Sequence, residues 1–334
     1  MNNFWDPGVW GVMNIMGMLL VSLLAASLLK KAVKKLADAL IPTSVLAGGI
    51  LLVISGTYKF VTGVSLFQTP FMGGEGFAFL EMITYHALAL GFISSTFESN
   101  EGELSPKRKT EIFNTGITTV GTYLVQAITG LAITIMAAKV IEGFFPVAGL
   151  LLPFGYGQGT GQAMNYGNIY ETQYGFVGGK SFGLTIATLG FICGVVAGIA
   201  AIQISTLGGQ VIVLVLLCVA GAIMTFLYNR FIARKFFPEY AEEQFVAMYG
   251  MLTGTASTGL VLLRELDPEF KTPVSDNIVY QNIPAIIFGF PLMIIASNAP
   301  KAPMQTLIIA IVYFSVLNII LFRSKLFGKK EKMK

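Results

Sequence analysis

Uninterrupted apolar stretches recur along the chain at about 9–29, 41–62, 77–97, 112–139, 181–205, 211–228, 278–297 and 304–322. Each approaches the roughly 20 residues a helix needs to cross about 30 Å of hydrocarbon, so eight membrane spans are expected. The pattern does not alternate with a period of two, which excludes a membrane barrel. Two further stretches, about 146–168 and 244–263, are apolar but interrupted by Gly, Thr and Ser. They predict re-entrant hairpins rather than uniform spans. Backbone that leaves the helical ladder at membrane depth must be buried in protein or line a polar cavity, because lipid cannot satisfy its N–H and C=O groups. A glycine-broken segment inside the bilayer is for that reason a candidate site.

Composition agrees with lipid as the main solvent. Hydrophobic residues make up 54% of the chain and charged residues 12%, with a mean hydropathy of +0.71, against roughly 25% charged residues in ordinary soluble domains. The expected fold is an all-α polytopic membrane protein. Residues 1–9 carry Asp6 but no Lys or Arg, so they lack the basic start of a cleaved signal peptide and the first run is expected to remain as a span. Cys193 and Cys218 sit in apolar runs without CxxC or Cys/His spacing, which predicts small buried hydrophobes and neither a disulfide nor a metal centre. The formal charge of +4 resides in short clusters at span ends. That is the signature of topology control, and it argues against nucleic-acid binding.

Lys30, Lys31, Lys34 and Lys35 follow the first run and should be cytoplasmic, which puts the N-terminus outside. Counting forward, Lys107, Arg108 and Lys109 fall inside and the first hairpin enters from outside. The basic C-terminus (Arg323, Lys325, Lys329, Lys330, Lys332, Lys334) should also be cytoplasmic; counting back from it, Arg230, Arg234 and Lys235 fall inside, so the second hairpin enters from the cytoplasm. The two hairpins then oppose each other. A short internal repeat agrees: Phe144-Phe145-Pro146 followed by Gly159-Thr160-Gly161 recurs as Phe236-Phe237-Pro238 followed by Gly254-Thr255-Ala256. Inverted repeats of this kind place transporter sites at the bilayer midplane. The division expected is a first repeat at 1–194, a shortened second repeat at 195–300, and an extra span with a basic tail at 301–334. One conflict arises at 181–205, which would have to begin and end outside: either the run fuses two half-spans, or Arg230 to Lys235 lies outside against the rule, or the fold adapts in some other way, and a junction near Gly194 and Val195 is the favoured explanation.

Gly159, Thr160 and Gly161 offer free backbone amides and a hydroxyl at a turn inside the bilayer, and Gly254, Thr255, Ser257 and Thr258 offer the same from the opposite side. Amides at helix N-termini suit a carboxylate, while carbonyl and hydroxyl oxygens suit dehydrated Na⁺; the opposing reading is close packing by small residues. Gln158 and Gln162 flank the first turn. Asn277 and Gln281 share a helix face, with Asp276 and Asn282 adjoining, and fit either ligand contact or interhelical hydrogen bonding. Pro284 and Pro291 either free carbonyls for a cation or kink their helix. Asn165 and Asn168 are read as the end of the first hairpin, which they would cap. Glu81 and His86, the only histidine, lie in the third run, where a proton-coupled mechanism would use them and a snorkelling carboxylate or a packed imidazole would not. Lys180 and Arg264 could attract an anion or simply sit solvated at an interface.

The chain resembles the bacterial sodium/glutamate symporter family. The resemblance rests on Ile41-Pro42 with Gly48-Gly49, on residues 155–161 (Gly-Tyr-Gly-Gln-Gly-Thr-Gly), on Tyr174-Gly175-Phe176, and on residues 250–258 (Gly-Met-Leu-Thr-Gly-Thr-Ala-Ser-Thr). It implies a homodimer in the bacterial plasma membrane, with two inverted five-helix repeats, that couples Na⁺ entry to uptake of glutamate or a similar small anionic or zwitterionic substrate. Na⁺ would be met at Thr160, Thr255, Thr258 and Asp276, and no other cofactor is implied. The chain departs from the family pattern at Gln158, where His is frequent, at Met251 and Leu252, and in lacking most of the first three helices of the second repeat. Those departures keep two alternatives open: a transport-inactive or assembly-only homologue, and a proton-coupled carrier. An enzyme is disfavoured, since there is no Ser/His/Asp set, HExxH or intramembrane aspartate pair.

Overall fold

The computed structural model describes residues 6–33, 36, 43–96, 105–190 and 208–323. Every regular element among them is helical: α1 (Pro7–Ala32), α2 (Thr43–Thr62), α3 (Gly76–Thr96), α4 (Pro106–Val140), α5 (Leu151–Gly157), α6 (Thr160–Tyr174), α7 (Gly179–Gly190), α8 (Val211–Phe236), α9 (Ala241–Thr253), α10 (Ala256–Leu266), α11 (Val274–Tyr280), α12 (Asn282–Asn298) and α13 (Pro303–Leu321). Five stretches are long and apolar enough to cross a membrane: Val9–Ala32 of α1, α4, α8, Asn282–Lys301 beginning with α12, and α13. Leu46–Thr62 of α2 is a shorter apolar helix. Lys34, Lys35, Ile41-Pro42, Cys193, the Gly194 junction and the basic tail beyond Arg323 lie outside the described residues.

The molecule is organised around α4. In its apolar window 56% of residues are buried, against 22% to 33% in the other four spans, because α5, α8, α9, α11, α12 and α13 all pack on it. Its sequence suits that position. Buried threonines satisfy their own hydroxyls on the preceding turn, as in Thr115 to Glu111 O (2.8 Å), Thr118 to Asn114 O (2.7 Å) and Thr122 to Thr118 O (2.8 Å), so polar side chains are carried through the core without orphaned donors. Glycines let neighbours close in: a Cβ on Gly116 would stand 2.9 Å from Pro284 Cβ, and the backbones of Gly130 and Gly149 touch.

α8 and α13 run antiparallel to α4. Gln126 meets Thr225 (2.8 Å), Asn229 meets Thr122 (3.3 Å), and Arg323 beyond α13 reaches Asn114 (3.4 Å). The first three helices form a cluster of their own around Ile15, Leu51, Phe67 and Leu80, joined to the rest through Met164 of α6 and Leu184 of α7. Lipid is the natural partner for the exposed apolar positions of the outer helices, such as Leu20, Val21 and Leu24 of α1, Ile212 and Leu216 of α8, and Ile308 and Val312 of α13.

Two expectations change in detail, and a third lies largely outside the described residues. The run 278–297 is not one helix: it divides at Gln281 into α11 and α12, since Pro284 has no N–H to bond the carbonyl of Tyr280. The stretch expected to end near Asn168 continues as helix to Tyr174, and Asn165 and Asn168 do not cap it. Gly175, at φ 72°, ends it instead, with the amide of Phe176 bonding Tyr170 O at 2.9 Å, a glycine C-cap that needs the left-handed region. Of the run 181–205 only the part to Gly190, the end of α7, is described; Gln210, just ahead of α8, reaches Val177 O (3.4 Å) just before α7. α8 therefore starts on the side where α7 began; residues 191–207 lie outside the described residues.

Candidate functional site at two helix breaks

The first break separates α5 from α6 at Gln158 and Gly159. Gly159 adopts φ 90°, a conformation that L side chains resist. α6 begins at Thr160 with no side-chain cap, so the amides of Thr160, Gly161 and Gln162 lack intrahelical partners. The second break separates α9 from α10 at Gly254 and Thr255. Thr255 is extended and its hydroxyl accepts from the Thr258 amide at 3.4 Å, with the Thr258 hydroxyl also 3.4 Å away. Each break thus presents the positive end of a helix together with threonine oxygens.

α4 brings the two breaks to one level. The Tyr123 hydroxyl donates to Gly157 O (3.0 Å), the last residue of α5, and Gln126 Nε2 donates to Leu252 O (2.8 Å), near the end of α9. Tyr123 is the central residue of the 35-residue α4, and three residues of helix rise only about 4.5 Å. α5 packs on α9. At the end of α7, a Cβ on Gly190 would meet both the Tyr156 ring of α5 and, at 2.8 Å, the carbonyl of Thr253 in α9.

The limbs run away from this level in opposite directions. Thr134, toward the C-terminal end of α4, donates to Pro146 O (2.7 Å) ahead of α5, and α6 returns the same way along α12. Its tyrosines at every fourth position, 166, 170 and 174, donate to Met293 O (2.9 Å), Ala296 O (2.9 Å) and Ser297 O (3.0 Å). α9 starts instead beside the N-terminal part of α4, where Gln244 bonds Thr115 (3.3 Å). α10 returns against it so closely that a Cβ on Gly250 would stand 3.0 Å from the Gly259 Cα.

Of the residues singled out from sequence, Gly159 and Thr160 are buried, and Gln158, Gly161 and Gln162 half-buried, at the first break; Gly254 is buried, and Thr255 and Thr258 half-buried, at the second. The backbone of Ser257 falls in the first turn of α10. The polar patch on α11 and α12 divides. Gln281 approaches the second break, with Nε2 3.6 Å from Met251 Sδ and 3.0 Å from Asn282 Oδ1. Asn277 is fully buried in a network instead: it bonds Gln244 (3.1 Å) and accepts from Arg108 (3.0 Å), which also holds Glu111 (2.6 Å) and Pro273 O (3.2 Å). Asp276 lies beside the same arginine at 3.6 Å. Arg108 is fifteen residues before Tyr123 on α4, about 22 Å of helix, so Asp276 is not brought to the breaks.

The remaining candidates find local partners or the surface. Glu81 and Lys180, 99 positions apart, pair with each other at 3.3 Å where α3 meets the start of α7. His86 is exposed on α3, and the Arg264 guanidinium lies 5.4 Å over the ring of Phe270. Pro291 lies inside α12, while Pro284 packs on Gly116. Cys218 is buried and its carbonyl accepts from Tyr156 (2.8 Å).

Sequence reasoning passed over Tyr123 and Gln126, and with them Thr225 and Asn229. The run 112–139 does carry a readable signal: Asn114, Thr115, Thr118, Thr119, Thr122 and Gln126 are too many polar groups for a helix that faces lipid. Compared with known proteins, the chain matches no family model, no curated relative and no solved structure.

Proposed function

We propose that the chain is a secondary active transporter that couples Na⁺ entry to uptake of a small carboxylate or amino acid such as glutamate across a bacterial plasma membrane. The observation that carries this reading is the meeting of two helix breaks at the middle of α4, with limbs leaving in opposite directions. That arrangement supports two opposed re-entrant hairpins related as inverted repeats, which transporters use to form a site between leaflets. The free amides of Thr160, Gly161 and Gln162 and the N-terminal turn of α10 would receive the carboxylate, and the hydroxyls of Thr160, Thr255 and Thr258 would offer oxygens to Na⁺. Gln158 and Gln281 are within the same region and would read the rest of the substrate. The C-terminus would be cytoplasmic and the working unit a dimer.

The test is uptake of radiolabelled glutamate into proteoliposomes holding the full chain. Uptake is expected under an inward Na⁺ gradient and not when choline replaces Na⁺. Equal uptake without Na⁺ under a pH gradient would assign the coupling to protons, and no uptake of glutamate or other small carboxylates under either gradient would favour the assembly-only reading.

A further inference from the structure

The C-terminal end of α8 carries a basic cluster that the transport reading does not use. Leu227, Arg230, Phe231, Arg234 and Lys235 line a pocket of about 370 Å³. Their spacing by three and four puts them on one face of the helix; the opposite face, with Thr225, Asn229, Ile232 and Ala233, is buried. Above the cluster the same side of α8 is apolar and uncovered. Val219, Ile223, Leu227 and Phe231 recur at every fourth position, 53% to 56% exposed, and Lys235 continues that row. From Phe231 to Val219 the row runs about 18 Å, slightly more than one leaflet of a hydrocarbon core about 30 Å thick.

The two arginines converge. Arg230 and Arg234 both reach the carboxylate of Glu242, at 3.0 and 3.3 Å, and the Arg230 guanidinium is held 5.3 Å over the ring of Phe245. Among the described residues their ion pairs go to Glu242 alone, and the nearby Glu239 is engaged by Lys107 at 2.8 Å. One carboxylate neutralises only one of the two arginines, and each guanidinium fork carries more N–H donors than a single contact uses. Complementing the negative end of α8, or marking the cytoplasmic side, would need basic residues anywhere around its last turns. Gathering them on one face, around a pocket at the head of an exposed apolar row, suits a ligand with an anionic head and an apolar tail. Arginine forks match phosphate oxygens in pairs. We infer that this face of α8 binds one anionic glycerophospholipid. Its phosphodiester lies against Arg230 and Arg234 beside Glu242, Lys235 disfavours an amine headgroup, and an acyl chain follows Phe231, Leu227, Ile223 and Val219. The inference needs α8 in a bilayer and not the transport of any cargo.

The test is native mass spectrometry of the full chain released from detergent, titrated with phosphatidylglycerol and separately with phosphatidylcholine of the same acyl chains. One phosphatidylglycerol should bind more tightly than any phosphatidylcholine. Arg234→Gln together with Lys235→Gln, both at exposed positions, should weaken that first binding about thirtyfold. Lys30→Gln with Lys31→Gln removes as much charge from the end of α1 and should leave it unchanged. Equal weakening by the two pairs would reveal diffuse surface attraction and overturn the site, as would equal binding of the two lipids by the parent chain. Millimolar inorganic phosphate should not displace the lipid, since it lacks the chain that follows the apolar row; full displacement would make this a free-phosphate site and overturn the lipid assignment. Loss of a dimer peak in the Arg234/Lys235 variant with lipid binding intact would give the face to a second copy of the chain instead.

Discussion

At the scale of single residues, Tyr123 is the side chain on which the two-break arrangement turns. It sits in the apolar cluster around α4 and α5 and also packs on the one built by α9, α10 and α11, while its hydroxyl holds Gly157 O. Tyr123→Phe keeps the ring and removes the donor, leaving a carbonyl at the end of α5 unpaired. The expected loss is about 1 kcal/mol, seen as a lower thermal midpoint, with uptake reduced further than stability alone would explain. An unchanged midpoint would mean that Gly157 O is satisfied elsewhere. The glycine-rich breaks were legible in the sequence because glycine and threonine interrupting an apolar run announce a broken helix. Tyr123 and Gln126 were not, because a tyrosine and a glutamine inside an apolar run say nothing about a partner 34 or 126 positions away. The Glu81–Lys180 pair was hidden for the same reason: each looked like an interfacial charge until the fold set them together.

At the scale of elements, the pattern of apolar runs located the helices but not every end. α6 extends past its expected limit because Tyr166, Tyr170 and Tyr174 line one face and bond α12, a gain the α6 sequence alone does not display. The connection from α10 to α11 is set by Asp267, whose carboxylate accepts from the Lys271 amide (2.8 Å), the Thr272 amide (2.7 Å) and the Thr272 hydroxyl (2.6 Å). The Thr272 hydroxyl, followed by its amide, holds the Asp267 carboxyl below the ordinary carboxylate value. A depressed carboxylate contributes stability that is complete above its unfolded pKa and is lost as pH falls through the lower, folded one. The 267–273 turn should therefore stay protected at neutral pH and open in acid. Amide hydrogen exchange at Lys271 and Thr272 across that range checks this, and Asp267→Asn should leave exchange fast and nearly independent of pH beyond the chemical rate. A profile like that of the parent chain would show that Asp267 does not order the turn.

At the scale of the whole molecule, charge placement predicts hairpins that enter from opposite sides. The N-terminal part of α4, with Lys107, Arg108 and Lys109, shares its side with Arg230 and Arg234, which hold Glu242 at the start of α9 (3.0 and 3.3 Å). If the breaks belong to opposed hairpins, a cysteine at Val177, beyond α6, and one at Glu269, beyond α10, face different compartments; both positions are well exposed. In a background without Cys193 and Cys218, an impermeant maleimide added outside intact cells should modify Val177→Cys and spare Glu269→Cys. Labelling of both from outside would rule out opposed hairpins.

The three tyrosine hydroxyls along α12 carry a mechanical consequence. They act as pegs in successive sockets, and α12 is seated in turn against Gly116 of α4 through the Pro284 ring. Should cargo cross by displacement of the first break, α6 cannot slide alone; α4, α7, α12 and α13 would travel with it as one cassette. The small bundle of α1, α2 and α3, which grips that cassette through Met164, Leu184 and the Glu81–Lys180 pair, is then the part left to stay anchored.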